Sequence, residues 1–460
     1  MAVITDENRK WWLLTALAGG LGLVLFDETV VGVALPVIQK ELNISVLESH
    51  WIVNAYLLVF ACLVAIGGRL GDVLPLKTLY LAGTALFGVS SIVAGFAPDA
   101  GVLIAARAVQ GIAAALVFPL SLAIVTLMFP VQEHGKALGI YGMVGTVFLA
   151  LGPLVGGVLA DYVSWRWIFW VNPFLTAAMI FVVIKAWAGI EEKKDRRPLD
   201  FPGLVLLFAG VGCLVFALMQ GPEYGWSNSL ILASATIGVA ASAAFVWREL
   251  RSRAPLIEIT LFGDPTFGAA NAIIFTAQFI KMAIFIFAVL YFQRVLGLSP
   301  VVAGAAIVPA VFAQPFLAAP VGALADKHGC RKTSLVGIGG SLLAMLALTL
   351  VIPLQSYWVV FPAFVFWSFM APMLFTPPRK AVMRAVPETQ KGQAGGIAMS
   401  AQMLGGTIGM AVCSAVFTTT QSYQAVFAAV TAVTIIVFLY AWFGLKEDAD
   451  LSAPVESKAT

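Results

Sequence analysis

Charged residues are scarce in this sequence. Asp, Glu, Lys and Arg make up 11% of the 460 residues, whereas soluble globular domains carry about 25%. Hydrophobic residues make up 60%. A chain with so little charge cannot cover a water-exposed surface, so the composition indicates a membrane protein.

Residues that build metal or catalytic sites are also few. The four cysteines are scattered without Cys-x-x-Cys or Cys-x-x-His spacing, and they are predicted to be small apolar fillers. His50, His134 and His328 fall in predicted loops or at the ends of apolar runs. We therefore expect no metal site, no cofactor and no membrane-embedded enzyme. A signalling receptor is also disfavoured, because no soluble domain of useful size is present.

Long apolar runs, by contrast, recur throughout the chain. Each is long enough to cross a hydrocarbon layer of about 30 Å as a helix. They predict an all-α membrane protein with fourteen transmembrane helices, at 11–35, 50–70, 78–97, 101–128, 136–160, 167–189, 201–220, 228–247, 267–292, 300–325, 333–353, 356–376, 393–418 and 424–444.

The basic residues support this number of helices. If the N-terminus is cytoplasmic, 22 of the 27 Lys and Arg fall in inner segments, three in outer segments, and two within spans. Such an excess of inner basic residues is typical of membrane proteins. A wrong number of spans would have disturbed the alternation of basic inner segments with outer segments that have few basic residues. We expect both termini in the cytoplasm of a cell whose inner membrane holds the protein.

An internal repeat divides the chain. Gly68 and Asp72, followed by Lys77, come after predicted span 2, and a second copy comes after span 10 at an offset of 254 residues. Repeats of this kind build transporters whose binding site lies between the halves. We read both copies as an inner gate, because neither has the Gly-Lys-Ser/Thr end of a phosphate-binding loop. The second copy comprises Gly322, Asp326, Arg331 and Lys332.

The repeat predicts four parts of the chain. Residues 1–190 form one six-helix bundle, and 256–446 form the other. Residues 191–255 hold a solvated linker and two inserted helices, since mixed-sign charge runs are normally solvated. Residues 447–460 form a cytoplasmic tail.

Three charged residues near or inside spans are the first functional candidates. Asp27 and Glu28 lie towards the far end of the first apolar run, and Arg107 lies inside the fourth. A carboxylate at such depth costs about 2.5–3.5 kcal/mol on insertion scales, so these groups need partners or a wet cavity. One alternative places the carboxylates at the polar end of the helix. Another makes Asp27 and Arg107 a static ion pair.

Lys281 lies in the middle of predicted span 9. The repeat offset relates it to Asp27, which has the opposite charge. We hypothesise that Lys281 faces Asp27 or Glu28 across a central cavity. The alternative is a lysine that extends to an interface, which its mid-span position disfavours. Other polar side chains within spans are candidates for lining the cavity, with helix packing as the alternative: Asn54, Tyr56, Gln278, Gln314 and Gln402.

Seven stretches follow one another in the order of a known family's motifs: 25–36, Arg107 to Gly111, Gly145 with Gly152 to Gly157, Trp165 to Trp167 with Asn172, Leu199-Asp200, Arg253 to Leu256, and Leu296 to Pro300 with Gly304. Together they resemble the fourteen-helix drug:proton antiporter branch of the major facilitator superfamily. The chain departs from the first-helix motif at Phe26, Glu28 and Gly32. It also lacks the Arg and Gly expected after Asp72, so the loop at Asp326 is the better match.

The resemblance implies a major facilitator fold and an exporter that works by alternating access. It implies that Asp27 carries the proton, with Glu28 as a second candidate, and that Arg107 modulates it. It also implies that the span 5 motif, which comprises Gly145, Gly152, Pro153, Gly156 and Gly157, seals the transporter during exchange. Plain small-residue packing is the alternative reading of these glycines.

We therefore expect a monomeric, proton-driven exporter of hydrophobic or amphipathic small molecules. Its partners would be the substrate, protons and the lipid bilayer, with no nucleic acid and no cofactor beyond the proton gradient. A dedicated exporter of a lipid or an anionic metabolite is the alternative on the same fold. Proton-coupled uptake is disfavoured only by the span 5 motif.

Overall fold

The structure is a computed structural model that describes residues 4–5, 8–130, 133–187, 200–252, 255–387 and 390–447. In these residues it contains fourteen helices that are long and apolar enough to cross a membrane. Spans 1 to 14 are Arg9–Leu42, Val46–Val73, Leu76–Gly95, Ala100–Met128, His134–Tyr162, Trp167–Ala186, Phe201–Tyr224, Ser229–Glu249, Pro265–Arg294, Pro300–His328, Cys330–Leu354, Tyr357–Arg384, Lys391–Thr420 and Tyr423–Gly444. The predicted all-α fold with fourteen spans is confirmed. Most of the linker (188–199), Arg253 and nearly all of the tail (448–460) lie outside the described residues.

Span 12 is longer than the apolar pattern predicted. It continues through Pro377 and Pro378 to Arg384, whereas the apolar run ends at residue 376. Apolar runs stop at the first charges, but a helix can extend into the interface because long basic side chains reach water. As a result Arg379, which falls between the predicted spans 356–376 and 393–418, lies within a helix.

Spans 1 to 6 pack chiefly on one another, as do spans 9 to 14. Spans 7 and 8 form a hairpin, and span 7 also packs on spans 2 and 13. Span 1 and span 9 are the most buried, at 83% and 94% of their apolar windows. The two helices that carry Asp27, Glu28 and Lys281 are therefore the central ones.

The two groups of six spans meet near one face of the molecule. We call the face where span 1 begins the N-terminal face, and the other the opposite face. Towards the opposite face span 5 packs on span 10, and Gln293 donates to the Val33 carbonyl oxygen at 2.8 Å. Towards the N-terminal face, a Cβ added at Gly139 or Gly142 of span 5, or at Gly396 of span 13, would meet no atom within 4 Å. The opposite face is thus closed by packing between the two groups, while these three glycines have open space beside them.

Candidate functional site

Asp27 and Arg107 form a buried ion pair between span 1 and span 4. Asp27 is 0% exposed and Arg107 is 1% exposed, and Arg107 Nη1 donates to Asp27 Oδ2. The second carboxylate oxygen, Oδ1, has no hydrogen bond of normal length within the described chain. A buried pair of this kind is costly to desolvate and strongly destabilising to break, so its charge state affects how spans 1 and 4 fit together.

Neutral groups from three other spans hold the Arg107 side chain in place. Its Nε donates to the Ile52 carbonyl oxygen at 3.1 Å, and its Nη1 donates to Gln110 Oε1 at 2.8 Å. Gln110 in turn donates to the Ser91 hydroxyl at 2.7 Å, as does Asn172 at 3.2 Å. Arg107 therefore keeps hydrogen-bond acceptors even when Asp27 loses its charge.

The ring of Tyr56 completes this site. It lies 4.4 Å from the Arg107 guanidinium carbon, within the range of a cation–π contact. Its hydroxyl donates to the Val24 carbonyl oxygen at 3.3 Å, and the residue is fully buried. We placed Tyr56 among residues lining a cavity, whereas the structure makes it part of the wall around Arg107.

Glu28 and Lys281 form a second buried ion pair, which joins the two groups of six spans. Lys281 Nζ lies 2.9 Å from Glu28 Oε1, and both side chains are at most 5% exposed. Lys281 lies two residues before a stretch of π-helix, Ala283–Ala288, in span 9. Such stretches interrupt the regular hydrogen-bond ladder and often occur at functional sites. Lys281 therefore pairs with Glu28, while Asp27 pairs with Arg107.

A chain of polar side chains leads from this pair towards the N-terminal face. Gln278 of span 9 donates to Glu28 Oε1, and Gln402 of span 13 donates to Gln278 Oε1 at 3.3 Å. Arg379 of span 12 donates to Gln402 Oε1. Spans 1, 9, 13 and 12 are thus linked by consecutive hydrogen bonds.

Two other predicted cavity residues lie elsewhere. Asn54 is fully buried, and its amide contacts the Met219 sulfur of span 7 at 2.8 Å, so it faces the inserted hairpin instead of the centre. Helical periodicity alone cannot tell which neighbour a polar side chain faces. Gln314 is half-buried and donates to the Ala310 carbonyl oxygen of its own helix at 3.3 Å.

The glycines of span 5 permit close contacts on two sides. A Cβ at Gly145 would lie 2.5 Å from Leu21 of span 1, and one at Gly156 would lie 2.6 Å from the Val30 carbonyl oxygen. Gly152 faces Thr29, which also lies on span 1. A Cβ at Gly157 would lie 2.5 Å from the Pro300 carbonyl oxygen, and Gly304 packs against the Pro153 carbonyl. Span 5 therefore contacts both span 1 and the first turns of span 10.

The two copies of the repeated loop make different contacts. Asp72 pairs with Arg69 of its own helix at 3.1 Å. Asp326 pairs with Lys380 at 2.8 Å and with Arg384 at 3.7 Å, both on span 12.

Other members of the predicted gate are engaged nearby. Lys380 also donates to the Gly322 carbonyl oxygen at 2.9 Å, and Lys77 lies over the Trp187 ring at 5.7 Å. Arg331 pairs with Glu447 at 3.5 Å, a contact to the chain after span 14 instead of to Asp326. Gly68 has room for a side chain, since an added Cβ would lie 3.6 Å from Pro119. Within the described residues, the Lys332 side chain forms no ion pair with Asp326, which pairs with Lys380 and Arg384.

Four side chains of the networks around Arg107 and Glu28 were not predicted as site residues: Ser91, Gln110, Asn172 and Arg379. Gln110 and Asn172 belong to motifs recognised in the sequence, so the sequence contained a signal for their role near Arg107. The sequence contained no such signal for Arg379, since it lies beyond the apolar run of span 12. His50 of span 2 is fully buried, and its ring lies 2.6 Å from the Ser414 hydroxyl of span 13. The sequence could not predict this contact, because it depends on how helices distant in sequence pack.

Comparisons with known proteins agree with this architecture. The family model of the Major Facilitator Superfamily matches residues 17–313 and 270–459. The multidrug resistance protein Stp of Mycobacterium tuberculosis is 34% identical over 409 residues, which cover 88% of this chain and 75% of Stp. The puromycin resistance protein pur8 of Streptomyces alboniger is 31% identical over 423 residues, covering 90% and 82% of the two chains.

A solved structure shows the same fold. The D-xylose-proton symporter superposes with a TM-score of 0.69 at 15% identity, and the match covers 95% of this chain and 98% of the symporter. Together with the relatives, the match identifies a multi-pass transporter and not an enzyme. The resemblance drawn from the motifs is confirmed, and the chain belongs to the major facilitator superfamily.

Proposed function

We propose that the protein is a proton-coupled antiporter that exports hydrophobic or amphipathic small molecules across the cytoplasmic membrane by alternating access. Relatives at 31–34% identity are named for resistance to drugs or to puromycin, which supports a substrate of this class. The observation that carries the proton-coupled part is the buried Asp27–Arg107 pair. Both termini would then face the cytoplasm, as the distribution of basic residues predicts.

In the proposed cycle, Asp27 takes up the proton. Protonation neutralises the carboxylate and removes its attraction for Arg107. Arg107 keeps Gln110 and the Ile52 carbonyl oxygen as acceptors, so it stays in place while span 1 is released from span 4. Release of the proton restores the pair. Substrate would cross in the opposite direction during the same change of state.

The two carboxylates would have separate tasks. Among the described residues, Asp27 forms its ion pair within spans 1 to 6, whereas Glu28 forms its ion pair with span 9 in the other group. We propose Glu28–Lys281 as the contact that opens and closes between the two six-helix groups. A static role for the Asp27–Arg107 pair is the alternative that the experiment must separate.

Proton movement in proteoliposomes tests this proposal. Wild-type protein is reconstituted with a pH-sensitive dye in the lumen, a pH gradient is imposed, and ethidium or an anionic amphiphile is added. We expect substrate-triggered proton flux in the wild type and its loss to the level of empty liposomes in Asp27→Asn, because an amide cannot carry the proton.

Two variants make the result specific. Asp161→Asn, which removes an exposed carboxylate at the end of span 5, should leave the flux unchanged. Flux that survives in Asp27→Asn but disappears in Glu28→Gln would transfer the carrier role to Glu28. Flux that survives in both would mean that neither carries the proton and that the Asp27–Arg107 pair is structural.

A further inference from the structure

Arg379 is a half-buried cation without a carboxylate partner in the described part of the chain. Its guanidinium donates to the neutral Gln402 amide oxygen, and its central carbon lies 5.9 Å from the Phe375 ring. The other two cations of the site, Arg107 and Lys281, are each paired with a carboxylate. The site as a whole therefore has one positive charge in excess, located on Arg379.

Arg379 also lines a shallow, open pocket of about 370 Å³ towards the N-terminal face, together with Asp326, Lys380, Met383 and Arg384. Three of these five side chains are cationic and one is anionic. The anion, Asp326, is shared by Lys380 at 2.8 Å and Arg384 at 3.7 Å. The pocket wall thus has an excess of positive charge, and its one carboxylate is engaged away from Arg379.

A guanidinium in partly apolar surroundings is costly unless an anion accompanies it. Its planar set of donors matches a carboxylate, with which it can form two parallel hydrogen bonds. Phe375 and Met383 place apolar surface beside these donors. The arrangement fits a ligand with one acidic group on an apolar body.

We propose that Arg379 binds the acidic group of an anionic amphiphilic substrate, with its apolar body against Met383 and Phe375. This inference rests on the proposed export function and specifies its substrate class and a binding residue. The acid replaces Gln402 as the acceptor for Arg379. Gln402 donates to Gln278, which donates to Glu28, so this exchange alters the hydrogen bonds at the Glu28–Lys281 pair. Substrate binding is thereby connected to the contact between the two six-helix groups.

Equilibrium binding of a matched pair of probes tests the assignment. The probes are 11-(dansylamino)undecanoic acid and its carboxamide, which differ only in the charged end. Binding to purified full-length protein in nanodiscs, without a pH gradient, is followed by energy transfer from tryptophan to dansyl. We expect the wild type to bind the acid about tenfold more tightly than the amide, in line with a charge-assisted hydrogen bond.

Substitutions then assign the preference to one side chain. Arg379→Gln should bind acid and amide equally, Arg379→Lys should keep part of the preference, and Arg251→Gln should behave as the wild type. Arg251 is exposed on the same face and lies over the Trp247 ring, outside the pocket.

Equal binding of the two probes by the wild type would overturn the proposal, and this measurement needs no variant to fold. An acid preference that persists in a monodisperse Arg379→Gln protein would also overturn it. Because the assay uses no gradient, an acid preference without proton flux would refute the antiport and leave the Arg379 site standing. Proton flux driven by ethidium without an acid preference would refute the Arg379 site and leave the antiport standing.

Discussion

At the scale of single residues, the two neighbouring carboxylates of span 1 serve different parts of the molecule. Successive residues of an α-helix point about 100° apart, so Asp27 and Glu28 cannot face the same neighbour. Asp27 reaches Arg107 on span 4, and Glu28 reaches Lys281 on span 9. Of these two adjacent residues, Asp27 therefore makes a contact within one six-helix group, and Glu28 makes a contact between the two groups.

Charge reversal tests the Glu28–Lys281 pair. Lys281→Glu places two carboxylates together and should abolish transport, with a loss of stability of about 3–5 kcal/mol, as for breaking a buried pair. The double variant Glu28→Lys with Lys281→Glu restores opposite charges and should recover part of both. Transport of ethidium in proteoliposomes and thermal unfolding are the measurements.

The matched control is Asp27→Lys combined with Lys281→Glu. It should not recover transport, because the partner of Asp27 is Arg107. Recovery in this control, or normal transport by Lys281→Ala, would contradict the assigned pairing.

At the scale of helices, the end contacts determine how the inserted hairpin is held together. Asp200 precedes span 7 and accepts from the Gly203 amide at 3.0 Å and from Arg248 Nη2 of span 8 at 2.6 Å. Burial opposes ionisation, but the hydrogen bonds from Arg248 and Gly203 outweigh it and hold the pKa of Asp200 below its usual range. Asp200 thus caps span 7 and ties it to span 8.

Two substitutions at this position separate the cap from the charge. Asp200→Ala should lower the stability of the folded protein by about 0.5–2 kcal/mol, the usual cost of losing a helix N-cap. Asp200→Asn keeps an acceptor for Gly203 and should cost less. Thermal unfolding in detergent at neutral pH measures both, and equal losses in the two variants would show that the charge matters more than the cap.

The sign of the pH dependence follows from the lowered pKa. The charge of Asp200 contributes its full stabilisation at neutral pH, above the ordinary pKa of an aspartate. The contribution is lost as the pH falls through the folded-state pKa. The difference in stability between the wild type and Asp200→Asn should therefore narrow only in strong acid.

At the scale of the whole molecule, the two six-helix groups are in close contact at the opposite face. Gly157 and Gly304 allow span 5 and span 10 to touch backbone to backbone. Arg294 donates to Gln39, and His50 contacts Ser414, at the same end. The alternating access proposed above requires this closed end to open in another state, so we expect the close approach at Gly157 to favour the closed state.

A bulky side chain at this contact should shift the equilibrium between the two states. Because the Cβ added in Gly157→Leu has no space beside Pro300, this variant should raise the fraction of molecules that are open at the opposite face. Spin labels at Lys40 and Thr420, both exposed near that face on spans 1 and 13, would report it as longer distances. Gly142→Ala is the control, because its Cβ meets nothing within 4 Å. Unchanged distances in Gly157→Leu would exclude this role.

The sequence by itself determined the fold class, the fourteen spans and the family. A helical membrane span needs about 20 mostly apolar residues in sequence, and that requirement is local, so it is visible in composition and run length. Motifs with characteristic spacing, such as Arg107 to Gly111, are equally local. The repeat offset also identified Lys281 as a central charge, although its partner was left open between Asp27 and Glu28.

Only the tertiary structure decided which groups meet. The pairing of Glu28 with Lys281, the contact of Asn54 with span 7 and the position of Arg379 at the end of a polar chain all depend on the rotation and packing of helices distant in sequence. Helical periodicity specifies which residues share a face but not which helix that face meets. For this reason the charged residues and the Asp27–Arg107 pair could be proposed from the sequence, while the choice of Glu28 as the partner of Lys281 and the neighbours of Asn54 and Arg379 could not.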